Sequence, residues 1–535
     1  MVKNALIHVE RNENILEFAK FLVDTGWTIL TANKTEELFK REQIPFTHEP
    51  SLTESTLHIG DPSYLIKTLL STKYIDEEKA LEAPFPTATG INIVCVNLMP
   101  CMKDTLTQQQ VPGYTKQFNF YISTLLRNSF VNYENILILT DPADYKEAMI
   151  QLRTNNITKE FRVYLAAKAL NLISAFDSGI ANTLLQNSEF TTDFTNYLAF
   201  PLVKQKTLDG GSNKHQQSCL YGYPSDSGAV SGIRKLHEKI DYNTIADVSL
   251  AWETISSVYK NLKNQFSVQS TNCDGYNFAT QFTPLMGIVF CIAVKYKSIL
   301  GAALSSNVSE SFQKTYCFNS ELIDDVVIGC SSVIDGQAAE KMADKKIAAI
   351  VAPDFTEEAK QIFEKTNIKL ITTAKINCSP YSIDILNGGL LFQTKDATLF
   401  DHWNVVTKNR PAQNIIDEMA FGILLAMGAR TYSALLLKNN QLVGISQCSK
   451  SAVHAVRNVT IEAQDLNPDP QDGVLAELLV CDTAVPLCQS IKELIDKGVK
   501  AIIQTGGTSS DDEFINYCNE HDVTMIFTEM SHITL

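Results

Sequence analysis

The sequence predicts an α/β protein of more than one domain, and three observations carry that reading. Short, β-branched and near-continuously apolar runs recur along the chain, as buried parallel strands do. Apolar residues at helical spacing fall between them. At 535 residues the chain outgrows a single core and divides into domains large enough to need no staples.

Taken in order, Ala5 to Val9, Trp27 to Leu30, Ile91 to Val96 and Ile136 to Leu139 read as strands. Ile15, Phe18, Ala19, Leu22 and Val23 line one helix face between the first two. This is a Rossmann-like sandwich ending near residue 145. Residues 146–203 read as a helical connection, and the Gly-, Ser-, Lys- and Gln-rich stretch from Lys204 to Ser218 as a loop opening a region that runs to 535. There the α/β pattern recurs twice, with Ile347 to Val351 closing one unit and Ala501 to Ile503 opening the last. The two halves share no sequence repeat.

Composition narrows the function classes. A hydrophobic content of 45% with 20% charged residues describes a soluble globular chain. The net charge of −15 argues against generic binding of nucleic acid or anionic membrane, so a phosphate-bearing ligand would need a local basic pocket. None of the 12 cysteines forms a C-x-x-C pair, and the spacings of Cys95 with Cys101 and Cys481 with Cys488 do not suit zinc. Free thiols in a reducing cytosol and no metal are expected. Neither a signal peptide nor an apolar run of membrane-spanning length is seen, so a cytoplasmic location is expected.

The run from Val499 to Glu513 reads as strand, glycine turn and helix with an acidic start. Gly506 and Gly507 let backbone amides approach a ligand, and the next helix turns its positive end toward it. From these residues alone an ordinary connection capped by Asp511 or Asp512 is the commoner explanation of such a turn. With the strand from Asp522 to Phe527 and the terminal Thr528 to His532, this stretch resembles the end of the bifunctional aminoimidazole carboxamide ribonucleotide (AICAR) formyltransferase/IMP cyclohydrolase family. Collinear matches extend the resemblance along nearly the whole chain: Asn4 to Ala19, Asp141 to Tyr145, Leu165 to Ala169, Phe176 to Asn182, Ala352 to Ala359, Gly388 to Leu391 and Trp403 to Thr407.

The resemblance implies a methylglyoxal-synthase-like first domain, two cytidine-deaminase-like subdomains, a homodimer and formyl-tetrahydrofolate as co-substrate. It also implies the site residues. Lys295 takes the place of the family's catalytic lysine, with Tyr296 where the pattern K-H-x-N-P-C-G has histidine. A phenol of pKa about 10 is a poor base near neutral pH. Asn213, His215 and Gln216 match the substrate loop R-Y-G-x-N-P-H-Q, Tyr242 and Asn243 match Y-N-N, and Ser451 matches the serine of G-A-G-Q-M-S-R. The Gly506-Gly507 turn with Asp511 takes the folate.

Departures gather where the family meets ligands. Asp209 replaces the substrate arginine, Tyr432 the asparagine of K-S-N-A-I-V, and Leu322 to Val326 the small residues of S-A-F-G-G. In the cyclohydrolase domain, Glu10 to Asn14 and Thr31 to Thr35 replace glycine-bearing phosphate turns. The K-T-L-H-P element is missing from Ser63 to Tyr74, and Met99, Asn119 and Val131 stand for tyrosine, aspartate and lysine. Each donor lost from a developing oxyanion costs on the order of a hundredfold to a thousandfold in rate. The sequence thus predicts a family fold whose cyclohydrolase activity is gone and whose formyl transfer is lost or altered. The alternatives are a working formyltransferase with a repacked site and a non-catalytic regulator that binds a ligand or partner.

Overall fold

The computed structural model describes residues 3–31, 33–48, 91–97, 120–186, 194–223, 228–236, 239–263, 288–317, 324–373, 381–400, 402–468, 470 and 473–534. The chain separates into two compact units, Met1–Lys204 with Tyr221–Ser225, and Gln205–Leu220 with Asp226–Leu535.

In the first unit five parallel strands, β1 (Lys3–Val9), β2 (Trp27–Thr31), β3 (Thr47–His48), β4 (Ile93–Asn97) and β5 (Leu137–Leu139), lie in the order β3-β2-β1-β4-β5. The four strands read from sequence are all there, because fully buried parallel strands need apolar side chains on both faces. The helices Ile15–Asp24, Asn33–Arg41 and Tyr145–Arg153 bury Ile15, Phe18, Phe39 and Tyr145 against one face. The helices Phe120–Val131 and Lys159–Gln186 bury Leu125, Leu126, Ala169 and Phe176 against the other. Strands leave β1 in one direction and β4 in the other, which makes the carboxyl-end crevice between them the topological switch point.

The stretch expected to be a loop from Lys204 to Ser218 is instead largely a hairpin, β6 (Val203–Leu208) with β7 (Ser218–Gly222). Its strands are only partly buried, so backbone pairing rather than an apolar pattern defines them, and composition hides it.

The second unit is built on β8 (Val289–Lys295), β9 (Ser298–Ser305), β10 (Val326–Cys330), β11 (Ile347–Ala352), β12 (Lys369–Thr372), a separate hairpin of β13 (Tyr381–Leu386) and β14 (Gly389–Thr394), then β15 (Asn404–Val405), β16 (Ala434–Lys438), β17 (Gln441–Ser446), β18 (Leu478–Cys481), β19 (Ala501–Gln504) and β20 (Thr524–Phe527). All but the hairpin join one sheet in the order β12-β11-β10-β8-β9-β17-β16-β18-β19-β20-β15.

That order is a duplication. In each half a long helix (Tyr242–Lys263 or Gln413–Gly428) precedes an antiparallel pair (β8–β9 or β16–β17), followed by a helix and three parallel strands separated by helices. Both pairs carry an irregularity at the same step, between Ala293 and Val294 and between Leu436 and Leu437. The halves meet at β9 and β17, where the Gln447 carboxamide donates to Ile299 O at 2.9 Å and accepts from Ile299 N at 3.3 Å. The two long helices share one core on one face of the sheet, whereas the opposite face carries a separate core for each half.

Candidate functional site

At the switch point of the first unit the loop after β1 is tied down by β4. Asn97, the last residue of β4, accepts from Glu10 N at 2.6 Å and Arg11 N at 3.0 Å and donates to Arg11 O at 3.0 Å. Loop amides that would face an anion at this crevice are therefore held by a carboxamide. Beyond β5, Lys168 bridges Asp141 at 2.8 Å and Asp144 at 2.6 Å. Burial opposes the charge of Lys168, but its two carboxylates outweigh it and raise the pKa. Burial also raises Asp144 on balance, while at Asp141 the Lys168 and Ala143 bonds outweigh burial and leave the carboxyl low. Val131 ends its helix 71% exposed. Met99, Asn119 and Ser63 to Tyr74 lie outside the described residues.

In the second unit, the Asp209 to Gln216 stretch is the turn of the β6–β7 hairpin. It is closed internally: Gln216 Oε1 accepts from Asn213 N at 2.9 Å, and Ser218 donates to Gly210 O at 2.5 Å. Asp209, Asn213, Lys214, His215 and Gln216 are exposed. Asn243 joins the turn to the long helix by donating to Ser212 O at 3.3 Å, with Tyr242 exposed beside it. The helix is capped by Asp241, which accepts from Thr244 N at 2.9 Å.

Lys295 closes β8, and its ammonium donates to Asp324 O. Tyr296 and Lys297 form the two-residue turn with φ of 51° and 57°, a conformation that costs roughly 1–2 kcal/mol per ordinary residue. Asp247 holds it, accepting from Tyr296 N at 2.9 Å and Lys297 N at 2.6 Å. Burial raises the pKa of Asp247 against those bonds. The second half repeats the arrangement. Lys438 closes β16 and donates to Val474 O at 2.6 Å, Asn439 and Asn440 form the turn, and Glu418 accepts from Asn440 N at 2.6 Å. Asparagine tolerates this backbone, so one bond suffices.

Ser451 caps the helix Ala452–Leu466, accepting from His454 N at 3.3 Å with His454 Nδ1 2.8 Å from its hydroxyl. Asn307 caps the matching helix of the first half, Val308–Cys317, accepting from Glu310 N at 2.8 Å. In the glycine turn Gly506 and Gly507 have φ of 77° and 97°. Asp511, the first residue of the last helix (Asp511–Glu520), accepts from Gly507 N at 2.7 Å, Thr508 N at 3.2 Å and the Thr508 hydroxyl. Two amides of this turn are thus taken by the chain's own carboxylate.

Around this turn the structure gathers residues that motif reading missed. Asp482 follows β18 and accepts from Ser433 N at 3.0 Å through Oδ2, while Oδ1 is buried with no hydrogen-bond partner among the described residues. Burial raises its pKa, although the Ser433 backbone bond and, less, the nearby hydroxyls of Thr431, Ser433 and Thr483 work the other way. Neither the Ser433 nor the Thr483 hydroxyl completes a hydrogen bond among the described residues. His532 donates its backbone N–H to Asp482 O at 3.0 Å, and its ring is clamped between Asp396 at 2.6 Å and Leu399 O at 2.9 Å. The carboxyl ends of β18, β19 and β20, with the segment leading into β16, thus form one hydroxyl-rich edge. A charged residue directly after the apolar run Leu478 to Cys481 was the available signal.

The sequence pattern of the AICARFT/IMPCHase bienzyme family matches residues 131–462, well over half of the chain. The chain belongs to this family. Its relatives include the bifunctional purine biosynthesis protein PurH of Clostridium acetobutylicum, 26% identical over 544 residues, and that of Brachyspira hyodysenteriae, 25% identical over 556, each match covering 99% of both chains. A solved structure titled "Crystal structure of ForH" aligns over 34% of this chain and all of its own at 20% identity, with a TM-score of 0.30, too slight a likeness to bear on the fold. Within the family frame, the described bonds do not bring Lys295 together with the Asn213 to Gln216 turn or with Gly506 and Gly507. Among the described residues there is no cluster of metal-ligating side chains, and no helix is long and apolar enough to cross a membrane.

Proposed function

We propose that this AICARFT/IMPCHase family chain has given up ring closure in its first unit and keeps a pocket for a nucleotide or folate in its second. The observation that carries the reading is the replacement of the family's glycine-bearing phosphate turns by Glu10 to Asn14 and Thr31 to Thr35, with the loop after β1 bonded to Asn97. Val131, exposed where the family pattern has lysine, supports it. The ligand edge is the hydroxyl-rich one at the ends of β18 to β20, with Gly506, Gly507 and Asp511 taking a folate and Asn213, His215, Gln216, Tyr242, Asn243 and Ser451 as candidate contacts to a nucleotide. Formyl-tetrahydrofolate is the co-substrate if formyl transfer survives, with Lys295 as its catalytic residue. The duplicated layout of the second unit supports two deaminase-like subdomains. The chain works in the cytoplasm as a homodimer and binds neither nucleic acid nor membrane, in keeping with its acidity.

Two measurements test this. Formyl-AICAR incubated with the protein should yield no IMP above background, and steady enzyme-dependent formation overturns the first clause. Calorimetry with AICAR and with formyl-tetrahydrofolate should show binding of at least one. Binding of neither by a folded protein overturns the second clause and favours a regulator that binds a partner.

A further inference from the structure

The antiparallel pairing of β8 with β10 sets Cys291 directly opposite Cys330. Ser331 N donates to Phe290 O at 2.9 Å, which makes the neighbouring Cys291–Cys330 step a non-hydrogen-bonded pair. At such a step the two Cα atoms lie about 4.5 Å apart, inside the roughly 4.4–6.8 Å that a disulfide spans. Paired residues share a face of the sheet, and these two enter the core that belongs to the first half alone, with Phe312, Ala338 and Ala339. Both are fully buried. The Cys291 thiol, hydrogen-bonded to that of Cys330, joins burial in raising the Cys330 pKa well above the ordinary thiol range.

The second half shows that packing does not call for the pair. Cys481 ends β18 as Cys330 ends β10, yet it stands opposite Ala434, which is as completely buried as Cys291. An alanine therefore fills the position, and the second sulfur calls for another reason. The pair also sits near an edge: Ile288, three residues before Cys291, and Val333, three after Cys330, are both exposed. Local opening at this end of the strands admits a molecule as small as hydrogen peroxide.

We propose that Cys291 and Cys330 are a site of oxidative modification, a dithiol at rest that a peroxide converts into a cross-strand disulfide. One sulfur, as its thiolate, attacks a peroxide oxygen, breaks the O–O bond and becomes a sulfenic acid, and the other peroxide oxygen leaves as water. The second sulfur then attacks the sulfenic sulfur, the S–S bond forms, and the hydroxyl leaves as a second water. In all, two electrons and two protons pass from the thiols to the peroxide. Because the resting pair is buried and Cys330 is held protonated, the reaction waits for the edge to open. The bond then staples β8, which ends in Lys295, to β10.

The test is thiol mapping by mass spectrometry on the full chain. Folded wild type held in excess hydrogen peroxide, then unfolded and alkylated, should yield the Cys291 and Cys330 peptides joined and two hydrogens lighter than the separate pair, and dithiothreitol should part them. The exposed Cys448 gauges the peroxide dose. Cys291→Ala, which installs the residue that the second half carries there, should leave Cys330 unlinked under the same treatment. The decisive mapping is on the wild type, so it stands however the variant folds. Recovery of Cys291 and Cys330 as free thiols once Cys448 is consumed overturns the proposal, and so does a Cys330 joined to any other cysteine.

Discussion

The two halves of the eleven-stranded sheet share a topology and differ at their carboxyl edges. Four residues past the paired Val351, the first half places Phe355, 3% exposed, edge-on to Phe363 and bridged to the buried Ile334. Four residues past the matching Ile503, the second half places Gly507, with nothing within 4 Å of an added Cβ. After β10, Ser331 accepts from Phe290 N at 3.0 Å; after β18, Asp482 does the same for Ser433 N and leaves a second oxygen over. A hydroxyl therefore satisfies the fold at that point. The internal copy acts as a control: what both halves keep serves folding, and what only one half has calls for another reason. By that standard Lys295 and Ser451 have structural counterparts in Lys438 and Asn307, whereas Asp482 and the glycine turn stand alone.

The strongest test of this contrast is Phe355→Ala, which should cost about 3–5 kcal/mol in denaturant unfolding because the plug has no substitute. Gly507→Ala, at a left-handed backbone but in open space, should cost only about 1 kcal/mol. Equal losses would break the comparison.

The turn carboxylates give the next effect. Burial, with Glu477 adding repulsion, pushes the pKa of Glu418 up to about 7 from 4.5. A raised folded pKa means that stability is fully present below pH 4.5 and is lost as pH rises through about 7. The loss should approach about 3 kcal/mol at pH 9. Glu418→Gln should abolish that slope in pH-dependent unfolding while keeping an acceptor for Asn440 N. Asp247→Asn should instead destabilise by about 1–3 kcal/mol, since its amide group would confront one of the two N–H donors now bonded to the carboxylate.

A smaller loss, about 1–3 kcal/mol, is expected for Gly506→Ala, whose Cβ would come within 2.6 Å of the Phe527 ring at φ of 77°. Thermal unfolding would show it. The smallest effects sharpen the comparison most: Lys295→Ala and Lys438→Ala should each cost no more than about 1 kcal/mol, by equal amounts. A Lys295 variant that unfolds like its counterpart but loses ligand binding would return Lys295 to the site.

The sequence by itself determined where the buried strands lie, because a strand covered on both faces must be apolar along its length and that signature is local. Ala5 to Val9 and Ala501 to Ile503 needed no partner to be recognised. It also determined the family, through motifs spread collinearly along the chain. Only the tertiary structure decided which motif residues are already engaged. The bonds from Glu10 N to Asn97, from Tyr296 N to Asp247 and from Ser433 N to Asp482 span dozens of positions and leave no periodic trace. The duplication was hidden for the same reason. Strand order and register can be kept by any apolar residues of suitable shape, so two halves can share a topology after every shared word of sequence has been lost.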